Sequence, residues 1–241
     1  MDFYLYCFCE GAPAGIKGMP GDEDSCIQFI DFKGIVAVAA ESANRPEPSV
    51  SNVIAHNRVI NSVLRSTTPV PCRFGTVLSQ RDLDVYVETN RPALNRLLEK
   101  FRGCLEMALR ITSSAQDRVN TLSDQVQPGL NSFVEESGGP GTQFLASRAR
   151  RAVREKIADQ RASEVLAWAD SQFSPLVKDR VARLRPESAL VADIAHLVSR
   201  RAIHDYRESF ESARRQRADL RLSISGPWAP YSFAASDDSV A

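Results

Sequence analysis

Two cysteines one residue apart, Cys7 and Cys9, stand in the segment "DFYLYCFC". In an extended chain alternate residues share a face, so both thiols point the same way. Joined by Cys26, Cys72 or His56 they would make a metal site. Structural zinc sites draw on two close pairs of the C-x-x-C or H-x-x-x-H type, and these spacings are absent. A buried cysteine packs as a small hydrophobe, and that reading is preferred. The three histidines, His56, His196 and His204, have no G-x-S-x-G nucleophile motif to serve. His204 and Asp205 are sequence neighbours, but catalytic triads are spatial. All three are read as structural or surface histidines.

Two further stretches invite chemistry. "GGPGTQFL" (138–145) is a glycine-rich turn opening a helix, where free amides and the helix dipole favour an anion. No G-K-[ST] follows and no G-x-G-x-x-G is present, so the turn is read as structural. The stretch 146–162 carries Arg148, Arg150, Arg151, Arg154, Lys156 and Arg161 against Glu155 and Asp159. A basic helix of this kind can touch RNA. No aromatics interleave on its polar face for base stacking, and the arginines are read as a solvated face. The expectation is a protein that is not an enzyme, with no catalytic residue, no cofactor and no metal.

The chain has 241 residues, is 43% hydrophobic and 25% charged, and carries thirty basic and thirty acidic residues. That is enough apolar material for one large or two ordinary domains. The balanced charge gives no field toward nucleic acid or an anionic membrane, so neither is expected as a partner. Asp2 stands where a signal peptide needs a basic flank, and no run approaches the ~18 apolar residues of a membrane span. Five cysteines, an odd count in a chain large enough not to need disulfides, agree with a cytoplasmic protein.

The elements that must position these residues follow from periodicity. "DFYLYCFC" reads as a strand. "CIQFIDFKGIVAVAAES" gives a hairpin split at Lys33-Gly34, with Ile35 to Ala40 apolar on both faces and so central in its sheet. A helix is expected from about Ser49 or Ser51 to about Ser66, with Val53, Ile54, Asn57, Ile60, Val63 and Leu64 near helical spacing. Cys72 to Leu78 reads as a strand in which Gly75 marks a bulge or a close backbone approach. A helix spans Gln80 to Arg102, broken or kinked at Pro92.

Gly103 is the expected domain boundary. "CLEMALRIT" alternates as a half-buried strand, with Glu106 on the polar face. Residues 113–141 read as a variable insertion. A long helix is expected from Thr142, with Leu145, Ala149, Val153 and Ile157 toward the core. Ser174-Pro175 reads as the start of a shorter helix to about Leu184. "ALVADIAHLVS" is a central strand, Ile203 to Ala213 a helix, and "LRLSI" a strand turned at Gly226-Pro227, after which Pro230 favours an extended path. Helical crossovers between strands imply an α+β sandwich. A ferredoxin-like arrangement would need one strand more than this reading finds.

Three rigid patches remain: "PVPCRFGTV", "GGPGTQFL" and "SGPWAPYSF". In that order and spacing they resemble the GvpF/GvpL family of gas vesicle proteins. The resemblance covers nearly the whole chain. It rests on Tyr4-Leu5-Tyr6, on Pro71-Cys72 with Arg73, Phe74, Gly75, Thr76 and Val77, and on Gly139, Pro140 and Gly141 before the basic helix. It closes on Gly226, Pro227, Trp228, Ala229, Pro230, Tyr231, Ser232 and Phe233. A histidine on the first helix, His56, also fits. Ala229 departs from a proline in the family pattern, and Cys7 and Cys9 from glycine or small apolar residues.

The resemblance implies two α+β domains: an N-terminal sheet domain (1–102) and a C-terminal modified ferredoxin-like domain (103–235) with a long helix. Residues 236–241 are read as a disordered tail. It implies an accessory or minor structural protein of gas vesicle assembly, located at the gas vesicle. Its partners would be the apolar main shell protein and other gas vesicle accessory proteins, and the motif residues would serve structure or partner binding. Two alternatives are a nucleic-acid-binding regulator using helix 146–162 and a phosphate-ligand enzyme using the GGPG turn.

Overall fold

Seven consecutive buried residues, Phe3 to Cys9, make β1 (Asp2–Glu10) the centre of a first sheet. The computed structural model describes residues 1–16, 18–19, 26–42, 45–113, 140–185 and 190–234. β1 pairs antiparallel with β3 (Ile35–Glu41), which pairs with β2 (Ile27–Phe32) across a tight turn at Lys33 and Gly34. Both turn residues have positive φ, 55° and 100°, as a two-residue hairpin requires. β3 is central and buried on both faces, as expected. The ladder shifts register between Leu5 and Cys7. Tyr4, Tyr6, Cys7 and Cys9 therefore pack in one cluster, and Phe3, Leu5 and Phe8 in another.

A helix covers each face. On one side lies α1 (Val50–Leu64), capped by Ser49, whose hydroxyl accepts from Asn52 N–H at 3.2 Å. Its buried stripe is His56, Val59, Ile60, Val63 and Leu64, a complete i, i+3, i+4, i+7, i+8 set. Val53 and Ile54, expected on the core face, are exposed instead. The histidine is the missing member of the stripe that the apolar residues alone misplaced.

On the other side lies α2 (Gln80–Phe101), capped by Ser79. It runs through Pro92 without interruption. One ladder bond is forfeited, but Leu83, Val87, Leu94, Leu97, Leu98 and Phe101 bury a full stripe, and packing outweighs the loss.

The expected strand 72–78 is instead two short ones, β4 (Val70–Pro71) and β5 (Val77–Ser79). Both pair with β1, and residues 73–76 loop out between them.

The second sheet holds β6 (Cys104–Ser113), β7 (Val177–Leu184), β8 (Leu190–Ser199) and β9 (Leu220–Trp228), in the order β7-β8-β6-β9 with every pair antiparallel. α3 (Pro140–Phe173) joins β6 to β7, and α4 (Ile203–Gln216) joins β8 to β9. This is the split βαβ pattern of a ferredoxin-like sheet. The strand missing from the sequence reading is β7, where a helix was expected. Ser174-Pro175 opens only a three-residue 3-10 turn before the chain extends. Lys178, Asp179, Arg180 and Arg183 hide the alternation, and charge of this kind suits an edge strand. α3 and α4 lie over one face, with Met107, Leu109, Ile111, Val165, Ala169, Phe173, Tyr206 and Phe210 in a common core. α3 begins at Pro140, not at Thr142.

The opposite face of the second sheet meets the first half of the chain. Ala195 and Leu197 share a cluster with Leu97, Leu98 and Phe101 of α2. Lys100 pairs with Asp179 at 2.6 Å, Thr68 Oγ1 donates to the Cys104 carbonyl at 2.9 Å, and Arg200 donates to the Leu64 carbonyl at 2.6 Å. The expected insertion 113–141 and the expected tail lie almost wholly outside the described residues.

Candidate functional site

The loop between β4 and β5 is tied at both ends to β1. Cys72 N–H donates to the Tyr6 carbonyl and Leu5 N–H to the Thr76 carbonyl, each at 2.9 Å. Between them Thr76 N–H and Oγ1 both donate to the Arg73 carbonyl, at 3.2 and 2.7 Å. Gly75 turns the corner with φ +83°. A Cβ there would sit 2.8 Å from Arg45 Nε, so the guanidinium lies directly over the glycine. Arg73 is exposed.

The turn swings Phe74 against a buried aromatic group. Its ring is 5.8 Å from His56 and 6.3 Å from Tyr4, and His56 stacks on Tyr6 at 5.5 Å. His56 Nε2–H donates to the Cys72 carbonyl at 3.3 Å, which leaves Nδ1 to accept from the Tyr4 hydroxyl at 2.6 Å. Both ring nitrogens are committed. Burial lowers the imidazole to about 4, so it is neutral at pH 7. Its chemistry is structural: it joins β1, α1 and the loop.

His196 has the same character in the second sheet. Its Nδ1 lies 2.8 Å from the Tyr206 hydroxyl, and burial, then Arg180, lowers it to about 4. His204 is on the surface beside Glu208. Burial pushes the Cys9 and Cys72 thiols up to about 12 and the Cys7 thiol well up also, so they are un-ionised and unreactive at neutral pH. Among the described residues no three His, Cys, Asp or Glu side chains come together to hold a metal.

The last described segment is a clasp. β9 does not turn away at Gly226-Pro227 but continues to Trp228, which pairs with Glu106. Gly226 has φ +119°, and a Cβ there would meet the Glu106 carbonyl at 2.8 Å and Met107 Sδ at 3.0 Å. The sequence signal was therefore a close backbone approach and not a turn.

Beyond Trp228 the path is not extended: Tyr231–Ala234 form a short helical turn, α5. Ser232 donates twice to Glu106, from N–H to Oε2 at 2.9 Å and from Oγ to Oε1 at 2.7 Å. This is why Glu106, expected at the surface, is buried, with its carboxyl raised by that burial against the opposing pull of Ser232. The Tyr231 hydroxyl donates to Asn57 Oδ1 of α1 at 2.8 Å. Phe233 is buried edge-on to Phe101 of α2, with Lys100 5.7 Å above its ring. Ala229 and Pro230 are buried, and Pro227 is exposed. Of the three aromatics only Trp228, 45% exposed, points outward. Two of the three aromatics thus join the halves of the chain, and the third is free to meet something else.

On α3 the sequence reading needs correction. Leu145 and Val153, expected toward the core, are both exposed, as is Phe144. Apolar residues every four positions drift by ~40° per step around a helix of 3.6 residues per turn. By Val153 the stripe lies ~180° from Ala162, which is buried. The second half of α3 makes the core contacts, through Ala162, Val165, Ala169 and Phe173. Arg148, Arg151, Arg154 and Lys156 are exposed, as expected of a solvated face. Pro140 and Gly141 form the first residues of α3, and Gly139 lies outside the described residues.

The fold and the site define a two-sheet α+β protein in which Phe74, Tyr231, Ser232 and Phe233 join one element to another. The chain belongs to the gas vesicle synthesis protein GvpL/GvpF family, whose model matches residues 2–235. It is 26% identical to gas vesicle protein L2 of Halobacterium salinarum, over 96% of this chain and 90% of that protein. It is 25% identical to gas vesicle protein L of a Streptomyces species, over 75% and 67%. The crystal structure of gas vesicle protein GvpF from Anabaena sp. PCC7120 matches with a TM-score of 0.78 at 18% identity, covering 97% of this chain and 95% of that one. GvpF from Microcystis aeruginosa matches at 0.79 and 18% identity, covering 97% and 98%. The role of the chain is therefore gas vesicle-related, in a family of structural and accessory proteins that is not a known enzyme family. No helix among the described residues is long and apolar enough to cross a membrane.

Proposed function

We propose that this protein is an accessory or minor structural component of gas vesicle assembly that binds the apolar main shell protein and supports shell formation in the cytoplasm. The observation that carries the reading is the apolar face left open beside the C-terminal clasp. Val50, Val53 and Ile54 stand at i, i+3 and i+4 on α1, with Ile54 53% exposed. Asn57, one turn on, holds Tyr231, three residues from the exposed Trp228.

A small apolar protein aggregates unless its surface is covered. A pre-ordered face covers it at low entropic cost, because Pro230 and the Ser232–Glu106 bonds already fix the chain. The same reading takes 1–102 and 103–235 as two structural units, meeting at Gly103 and locked by the clasp. Tyr231, Ser232 and Phe233 set that lock, Phe74 to Thr76 brace β1 and α1 within the first unit, and Trp228 meets the partner. Neither nucleic acid nor a membrane is part of this function.

Retention of purified shell protein on the immobilised full chain is the test. Binding is expected. No binding, together with normal vesicles in a strain lacking this protein, overturns the proposal.

A further inference from the structure

α3 has 34 residues, a length of ~50 Å at 1.5 Å per residue. Only its second half is built into the core. From Phe144 to Arg154 every residue with a described side chain is exposed. The first half is therefore an arm that leaves the second sheet. A solvated arm is normally polar on every side. This one carries Leu145, Ala149, Ala152 and Val153, the i, i+4, i+7, i+8 set of a single apolar face, and Leu145 is 65% exposed. That face points away from the sheet that buries Ala162, so the sheet cannot cover it.

Among the described residues the charges beside the stripe that lack an ion-pair partner are of one sign. Arg148 is three residues from Leu145 and four from Ala152, and Lys156 is three from Val153 and four from Ala152. Arg154 adjoins Val153. All three are exposed and have no ion-pair partner among the described residues. The acid between them, Glu155, is already paired with Arg151 at 2.7 Å.

We infer that the N-terminal half of α3 is a docking arm for one amphipathic helix of a partner protein, with a Leu/Ala-type apolar face flanked by Asp and Glu. Two small residues at the middle of the stripe let helix backbones approach closely, and Leu145 and Val153 close the ends. Arg148, Arg154 and Lys156 then favour acidic flanks and reject basic ones. A lipid surface would call for Trp, Phe or Leu where this stripe has alanine. RNA would have no use for the stripe at all. The inference goes beyond the shell-protein reading and involves a different helix from α1.

The probes are two labelled designed peptides of about 20 residues, long enough to form helix on docking, with identical Leu/Ala faces and either Glu or Lys flanks. They are titrated into the full chain by fluorescence anisotropy. The Glu peptide is expected to bind at least about tenfold more tightly than the Lys peptide, and less tightly as salt rises. Leu145→Asp with Val153→Asp removes binding, and Arg148→Glu with Arg154→Glu reverses the preference. These side chains are exposed, so circular dichroism of both variants should match the parent chain.

Absence of binding overturns the inference, as does equal binding of both peptides or unchanged binding to the Leu145→Asp/Val153→Asp variant. Stronger binding to poly-uridine or to phosphatidylglycerol vesicles, insensitive to that variant, overturns it also. So does self-association in sedimentation that the variant abolishes. The peptide arms need no shell protein, so their failure leaves the shell-protein reading standing, and failed shell-protein retention leaves theirs intact.

Discussion

Lowering the pH from 7 to 5 should destabilise this protein through two buried imidazoles. His56 and His196 each fall from 6.5 to about 4 on folding, chiefly because burial disfavours the charged ring. A group lowered in the fold is neutral in the native state and protonated in the unfolded chain between those two values. The unfolded state then binds more protons, so stability is complete above about 6.5 and is lost as the pH falls toward 4. Each histidine accounts for about 3 kcal/mol across the full window, and the pair for a slope near 2.7 kcal/mol per pH unit at its steepest. Glu106 works against this, because its raised carboxyl is protonated in the fold before it is in the unfolded chain. A net loss of about 3 kcal/mol between pH 7 and 5 is therefore expected, a large share of a typical domain's stability.

Urea unfolding followed by tryptophan fluorescence at several pH values measures it. The variant His56→Gln should be less stable at pH 7, where it loses its bonds to Tyr4 and Cys72, yet should show about half the parent's pH slope. A parent stability that is flat from pH 7 to 5, or a His56→Gln variant with the parent's slope, refutes the reasoning.

Four further outcomes follow from the clasp and the loop. Gly226→Ala should cost about 2–4 kcal/mol in chemical denaturation, because positive φ and the rigid Glu106 carbonyl both oppose a side chain. Gly75→Ala should cost only about 1 kcal/mol, since its neighbour is the movable Arg45 side chain. Phe233→Ala should cost about 3–5 kcal/mol by opening a cavity against Phe101, as read from the thermal midpoint, whereas Trp228→Ala should cost under about 1 kcal/mol. Glu106→Ala should cost about 1–3 kcal/mol in urea by leaving the Ser232 N–H without its acceptor, and Ser232→Ala less than that.

Local rules agreed with the fold wherever packing was simple. The Lys33-Gly34 hairpin, the buried β3 and β8 strands and the helix from Ile203 to Ala213, α4, were legible because one period dominated each segment. The rest was hidden for identifiable reasons. β7 is an edge strand whose charges conceal its alternation, so the fourth strand of the ferredoxin-like sheet read as a helix.

On α1 a histidine completes the buried stripe, and leaving it out rotated the face toward Val53 and Ile54. On α3 a four-residue repeat looked like core but drifts away from it. Glu106 looked exposed because its two Ser232 bonds join residues 126 positions apart. The motif residues were visible as types, but only geometry separates the inward Tyr231 and Phe233 from the outward Trp228.

Titration of purified shell protein against the full chain and against an Ile54→Asp/Trp228→Ala variant tests the central claim most directly. Both side chains are exposed, so the variant should keep the parent's unfolding free energy to within about 1 kcal/mol. The account predicts saturable binding to the parent chain and at least about a tenfold loss in the variant. Equal binding by the two proteins would contradict it.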